Sequence, residues 1–395
     1  MKNKLSFCLI ACCAALFTGC LKDDTETAAP LPAEAGVELR FAIDAPAEIT
    51  TYSAASAKEC NISSLYLLVF DAADGTYKAG ERIASSGVTG NKTTTPRVMT
   101  RLPFKSGDRV VVLVNTGQTF TDIPLTVGSS TVADIDAAFP SGNVFESSGL
   151  WKRNDSSQPM CGEVVAISAQ ELPVCTLYRA FAKIRVNMVK KEDLADPSGE
   201  IAGKSFWWEL YQVPTRGNIY SPDGRISVPG MSRSMFIREN SLHEVKYDPD
   251  YVPPFPVYIP EFDLSTNAMG NPVSSTEFHK DRMCVILTLD FASTLNESKN
   301  YYRLDLVEGN KEGEQKKWLD IRRNHSYRIL ITQVHSRGYL TPEEALANPP
   351  ANIEYTVTVE DSGWGTVVSN GQYGLKIDCD TCRITTTATA ANLLR

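Results

Sequence analysis

An all-β chain built of two sandwiches is what this sequence predicts. Three observations carry that expectation. Apolar and polar residues alternate with period two in many stretches, as where Val37, Leu39, Phe41 and Ile43 alternate with Glu38, Arg40 and Ala42, the pattern of a strand with one buried face. Helical spacing is confined to two short stretches, 132–139 and 342–346. The chain has 395 residues, and domains usually hold about 100–200, so two are expected. Many strands with few, short helices favour packed sheets over an α/β enzyme.

The N-terminus comes first. Residues 1–4 include Lys2 and Lys4, and residues 5–17 form an apolar run too short to span a bilayer but of signal-peptide length. The run ends at Phe17-Thr18-Gly19-Cys20. This resembles the lipobox of bacterial lipoproteins, in which small residues precede a cysteine that becomes lipidated. Phe17 stands where that box usually has an aliphatic residue. The other reading is a plain secretory signal with an incidental cysteine. Residues 1–19 are thus read as the signal and Cys20 as the lipidation site. Residues 20–36, with Pro30, Pro32 and many alanines, form a tether. Within it, Lys22-Asp23-Asp24 resembles the acidic export tag of surface lipoproteins in Bacteroidetes; a solvated charged tether is the alternative.

The first sandwich is expected over 37–172. Its first strand is Val37, Leu39, Phe41 and Ile43 with their polar alternates, followed by a loop over 44–61. Residues 62–70 (ISSLYLLVF) end in a nearly continuous apolar run, which predicts a central strand. Asp74-Gly75 then reads as a hairpin turn rather than half a calcium loop, because the further ligands of such a loop are missing. Strands follow around Val98–Phe104 and over 109–115 and 162–168, with the short helix placed behind Ser129-Ser130-Thr131.

The join is expected at Pro173, which cannot donate to a sheet ladder. After it Ala180, Ala182, Ile184, Val186 and Met188 share one parity, and Lys183, Arg185 and Asn187 the other, predicting a half-buried strand. The second sandwich, 173–395, continues with strands near 205–213, 257–259, 283–290, 301–307, 325–334 and 353–359. The stretch 217–254, rich in Gly, Pro and Ser, reads as long loops.

Composition and motifs exclude more than they name. Net charge is −8 and no Lys/Arg cluster forms a basic face, so no nucleic-acid partner is expected. The four histidines, His243, His279, His325 and His335, form no HExxH and no i,i+4 metal pair. Nucleophile-elbow, Walker and dinucleotide fingerprints are missing as well. The expectation is a non-enzymatic protein with no metal and no cofactor. Cys8, Cys12 and Cys13 leave with the signal. Cys60, Cys161, Cys175, Cys284, Cys379 and Cys382 remain in an exported, disulfide-permissive setting. Cys284, in MCVILTL, reads as a small buried hydrophobe. Cys379 and Cys382 have CxxC spacing but no second half-site, which favours a local disulfide or two free thiols over a zinc site. Trp207 and Trp208 are adjacent, so in a strand one faces a core and the other faces away.

Several stretches together resemble one family. They are 61–77 (NISSLYLLVFDAADGTY), 110–115 (VVVLVN), Pro159-Met160-Cys161-Gly162, 177–186 (LYRAFAKIRV), 257–261 (VYIPE), 323–331 (RNHSYRILI) and 338–359, with GYLTPEEA and PPANIEYTV. They look like the fimbrillins, the type V pilus subunits of Bacteroidetes, from about residue 37 to about 375. The resemblance implies two tandem transthyretin-like sandwiches and export as an outer-membrane lipoprotein exposed on the cell surface. It also implies removal of the first strand (Val37, Leu39, Phe41, Ile43) by a trypsin-like protease. The groove left behind would accept a C-terminal strand of the next subunit, a form of strand addition. Donor material would be Ile353, Tyr355, Val357 and Val359, together with 372–377. The loop 44–61 has no arginine and one basic residue, Lys58, while Arg40 lies inside the first strand. Lys58 and Arg40 are therefore the processing candidates, and stalk, accessory and anchor roles stay open. Partners on this reading are other pilus subunits, the outer membrane through the lipid, and a host or bacterial surface ligand. The rival reading is a carbohydrate-binding surface lipoprotein that uses exposed aromatics such as Trp207 or Trp208.

Overall fold

The computed structural model describes residues 37–43, 62–91, 94–117, 119–140, 158–195, 201, 206–221, 236–238, 242–250, 257–264, 278, 280–291, 298–308, 317–360, 366–369 and 374–376. Eight strands make the first sheet: β1 (Val37–Ile43), β2 (Ser64–Phe70), β3 (Tyr77–Ala84), β4 (Val88–Asn91), β5 (Thr94–Thr100), β6 (Arg109–Val114), β7 (Met160–Val165) and β8 (Cys175–Arg179). Their order is β3-β2-β6-β7-β8-β1-β5-β4. The sheet curls round one core, since Leu65 and Leu67 of β2, Val110 and Val112 of β6, Leu177 of β8, Leu39 of β1 and Val98 of β5 all meet there.

The apolar run of β2 has its cause in this arrangement. Leu65, Leu67 and Val69 face that inner core, while Tyr66, Leu68 and Phe70 enter a second cluster on the opposite face. A strand buried on both sides reads as a continuous apolar run rather than an alternating one. The second face is covered by 119–139, where Phe120, Ile135 and Phe139 pack on Tyr66, and the Phe120 N–H donates to the Tyr66 hydroxyl at 3.0 Å. Helix α1 (Ile135–Ala138) follows a 3₁₀ turn over Val132–Asp134, started by a capping box between Thr131 and Asp134. At Asp71–Gly75 the chain reverses as a hairpin, with Gly75 at φ 72° and its N–H donating to the Asp71 carbonyl at 2.9 Å.

The second half contains β9 (Phe181–Met188), β10 (Phe206–Tyr211), β11 (Val213–Pro214), β12 (Phe236–Ile237), β13 (His243–Val245), β14 (Val257–Pro260), β15 (Cys284–Phe291) and β16 (Ser298–Asp305). It continues with β17 (Val307–Glu308), β18 (Lys317–Trp318), β19 (Ser326–Val334), α2 (Pro342–Ala347), β20 (Ile353–Glu360), β21 (Thr366–Ser369) and β22 (Gly374–Lys376). A four-stranded sheet β13-β10-β15-β16 faces a six-stranded sheet β14-β9-β19-β20-β21-β22. Trp208, Leu210, Val285, Leu287 and Leu304 of the first pack against Ile184, Val186, Ile329, Ile331 and Tyr355 of the second. The molecule is thus all-β, as expected, with two short α-helices among the described residues. Thr341 caps α2, its hydroxyl accepting from the Glu344 N–H at 3.1 Å.

Two expectations about the seam need correction. Pro173 is not where the sheets change: β8 still belongs to the first sheet, and the chain enters the second at Ala180, between Arg179 and Phe181. Proline there only lies in the connection ahead of a strand, which its missing donor permits equally well. Nor is β9 half-buried, for Arg185 and Asn187 are as buried as Ile184 and Val186. Asn187 Nδ2 is satisfied away from solvent by donating to the Asp248 and Pro249 carbonyls at 3.1 and 3.0 Å. Polar side chains on one parity do not mean water on that side when a loop supplies acceptors.

Candidate strand-exchange interface

β1 holds a position no other strand of the first sheet shares. Over 37–40 it pairs antiparallel with β5, Leu39 opposite Val98 and Arg40 opposite Arg97. Over 41–43 it pairs parallel with β8, Phe41 opposite Cys175 and Ile43 opposite Leu177. It is the stitch between β3-β2-β6-β7-β8 and β5-β4. Period-two alternation puts Leu39 into the inner core, fully buried, with Val37 half-buried beside it. On the other parity Glu38 meets Arg97 at 3.4 Å on the surface, a contact contributing little in water.

Without β1, a groove would lie between β5 and β8. Its walls are Val98 and Thr100 on one side and Cys175 and Leu177 on the other, all buried. Burial pushes the Cys175 thiol well above its ordinary range, so it stays protonated beside β1. β8 can close against β7 because residue 162 is glycine: a Cβ there would lie 2.4 Å from the Thr176 carbonyl oxygen and 2.7 Å from Cys175 Sγ. Sequence reading missed β8 as a wall, because Pro173 drew the boundary ahead of it. The available signal was Cys175 and Leu177 alternating with Thr176 and Tyr178.

The expected donor residues have a place in their own subunit. Ile353, Tyr355 and Val357 are buried in the second sandwich's own core, and Val359 packs against it. β20 has ladder partners on both sides, β19 and β21. The Tyr355 hydroxyl accepts from the Asp305 N–H at 2.8 Å and donates to its carbonyl at 3.0 Å. β20 is a structural wall of its own subunit. β21 and β22 end the six-stranded sheet, with β22 at its edge.

Of the remaining site residues, Cys20, Lys58, Cys379 and Cys382 lie outside the described residues, as do the side chains of Arg40, Phe41 and Ile43. Cys161, Cys175 and Cys284 are buried free thiols, and burial pushes Cys284 up to about 12. Trp208 is 2% exposed and packs its ring 4.7 Å from that of His243, which removes it as a surface aromatic, while Trp207 is half-buried. Among the described residues no three His, Cys, Asp or Glu side chains are grouped as a metal site.

No family model and no curated protein matches the chain. Among solved structures it is similar to a candidate cell adhesion protein of Parabacteroides distasonis, at 16% identity and TM-score 0.51, over 82% of this chain and 96% of that one. The chain shares that protein's fold. Fimbrial proteins of Porphyromonas gingivalis also appear among its structural neighbours. The fimbrilin matches at 14% identity and TM-score 0.47, over 82% of this chain and 97% of that one. The tip fimbrial protein with a C-terminal truncation matches at 14% identity and TM-score 0.41, over 82% and 99%.

Proposed function

We propose that the chain is a structural subunit of a cell-surface pilus, assembled by strand exchange at β1 and contributing to adhesion. The observation that carries this is β1 itself, one strand bridging two walls of one core. Its loss leaves an apolar slot with two open ladders, a strong template for a foreign strand. The adhesion and fimbrial neighbours support the same reading. The donor is the terminal segment around β21 and β22 rather than β20. β22 lies at a sheet edge, and Tyr373, Leu375 and Ile377 continue the alternation that β1 has.

The test uses the full mature chain with a protease site placed in 47–57. Cleavage should convert monomers into a ladder of oligomers, while the uncleaved protein stays monomeric. A cleaved protein that remains monomeric and melts where the intact one does would overturn the reading. The proposal also includes lipidation at Cys20, processing at Lys58 or Arg40, an outer-membrane surface location and no catalysis. The mass of the N-terminal peptide from cells decides the first two: an acylated Cys20 before processing, a new N-terminus after 40 or 58 afterwards. An unmodified Cys20 with β1 always present rejects both. Turnover on an ester, glycoside or peptide panel that one substitution abolishes would reject the last.

A further inference from the structure

The residues between β18 and β19 reach across both halves of the molecule. Arg323, 2% exposed, directs its guanidinium at four acceptors. Nη1 donates to the Ile219 carbonyl at 2.8 Å and contacts Cys161 Sγ of β7 at 3.4 Å. Nη2 donates to the Asn218 carbonyl at 2.7 Å and to Glu261 Oε1 at 2.5 Å. Glu261, at the end of β14, is itself 2% exposed. The strap that Arg323 grips, 218–221, is held from the first half too. Asp136 of α1 accepts from the Ile219 and Tyr220 N–H groups at 2.8 and 3.1 Å. The Tyr220 hydroxyl donates to Glu163 of β7, which pairs with Arg109 at 3.1 Å. One residue further, Asn324 (φ 62°) donates its N–H to the Phe181 carbonyl at 2.8 Å and accepts from the Arg179 N–H at 3.4 Å, across the point where the sheets change.

We infer that Arg323 is the keystone of a clamp that fastens the two sandwiches into one cooperative body. This stands independently of strand exchange. Interfaces between domains of one chain are ordinarily small and polar and permit relative motion. Here the strap carries Ile219 and the second half carries Phe181 and Tyr258 into the same apolar cluster as Tyr66, Leu113 and Phe139, and residues 36–395 form one unit. A guanidinium suits the post because its planar fork can address two carbonyls and a carboxylate together, whereas an ammonium is a single point of charge. Burying it beside Glu261 leaves neither charge alone, and removing one partner would strand the other.

The test compares the full-length protein with Arg323→Lys and with the double variant Arg323→Met/Glu261→Met, which leaves no stranded charge. Calorimetry and hydrogen exchange are the readouts. The parent should unfold in one transition. The variants should show two, with exchange at the amides of Ile219, Tyr220 and Asn324 faster by about tenfold or more while β6 and β15 keep their protection. A single transition, with protection falling evenly or not at all, would overturn the clamp. Should the double variant fail to fold, Asp136→Ala strips the strap's two N–H bonds and leaves the Arg323–Glu261 pair in place. Faster exchange confined to 219–220 then supports the clamp, and unchanged exchange there overturns it.

Discussion

Leu39, opposite Val98 in the β1–β5 ladder, and Cys175, opposite Phe41 in the β1–β8 ladder, each support a measurement. Leu39 is fully buried in the inner core, so Leu39→Ala should destabilise the uncleaved protein by about 2–5 kcal/mol. Chemical denaturation that detects less than about 1 kcal/mol would mean the core closes without β1, against the usual cost of such a cavity. Cys175 is the ladder partner of Phe41 at the β1 edge of β8, its thiol held protonated by burial. Burial raises a thiol's pKa because the low-dielectric surroundings disfavour the thiolate. Uncovering the strand returns the group toward its ordinary range and exposes it to water. A thiol reagent should therefore leave Cys175 untouched in the intact protein, label it after β1 is released, and be blocked again once a donor strand fills the slot. Equal labelling in all three states would show that β1 does not cover it. Cys161 and Cys284, buried elsewhere, serve as internal controls.

Strands were the part of the fold most legible in the sequence, for a reason particular strands make clear. β1 alternates because one face meets a core; β2 does not alternate because both faces do. The hairpin at Gly75 and the capped helix at Thr131 were legible from local turn and cap chemistry. What alternation cannot say is whose core a strand faces. Ile353, Tyr355 and Val357 have the pattern of a donor, yet they build their own subunit. Nor can local pattern report long-range cover, which is why Arg185 and Asn187 on β9 were read as a wet face. The difference between β20 and the segment after it is testable by truncation. Ending the chain before 366 should leave a folded monomer that no longer polymerises after cleavage. Ending it before 353 should cost the second sandwich several buried side chains, at about 1.5–3 kcal/mol each, and with them its fold. Circular dichroism melts separate the two cases. Polymerisation by the shorter truncation would show that the donor lies elsewhere.

For the whole molecule, the feature with the widest reach is that β1 pairs with β5 along 37–40 and with β8 along 41–43. A subunit offering one slot and one donor makes a heterologous contact, and such contacts repeat into open filaments rather than closed rings when the rotation does not close. On the proposed reading each filament then has a sense. One end carries a vacant slot and the other an unused donor, so monomers adding at the two ends meet different chemistry. A subunit that keeps its own β1 can still give its tail to a neighbour but can accept none. It behaves as a chain stopper does in step-growth polymer chemistry. The mean length of the fibre would then follow the molar fraction of unprocessed subunits, and a cell could set that length through the activity of a protease alone.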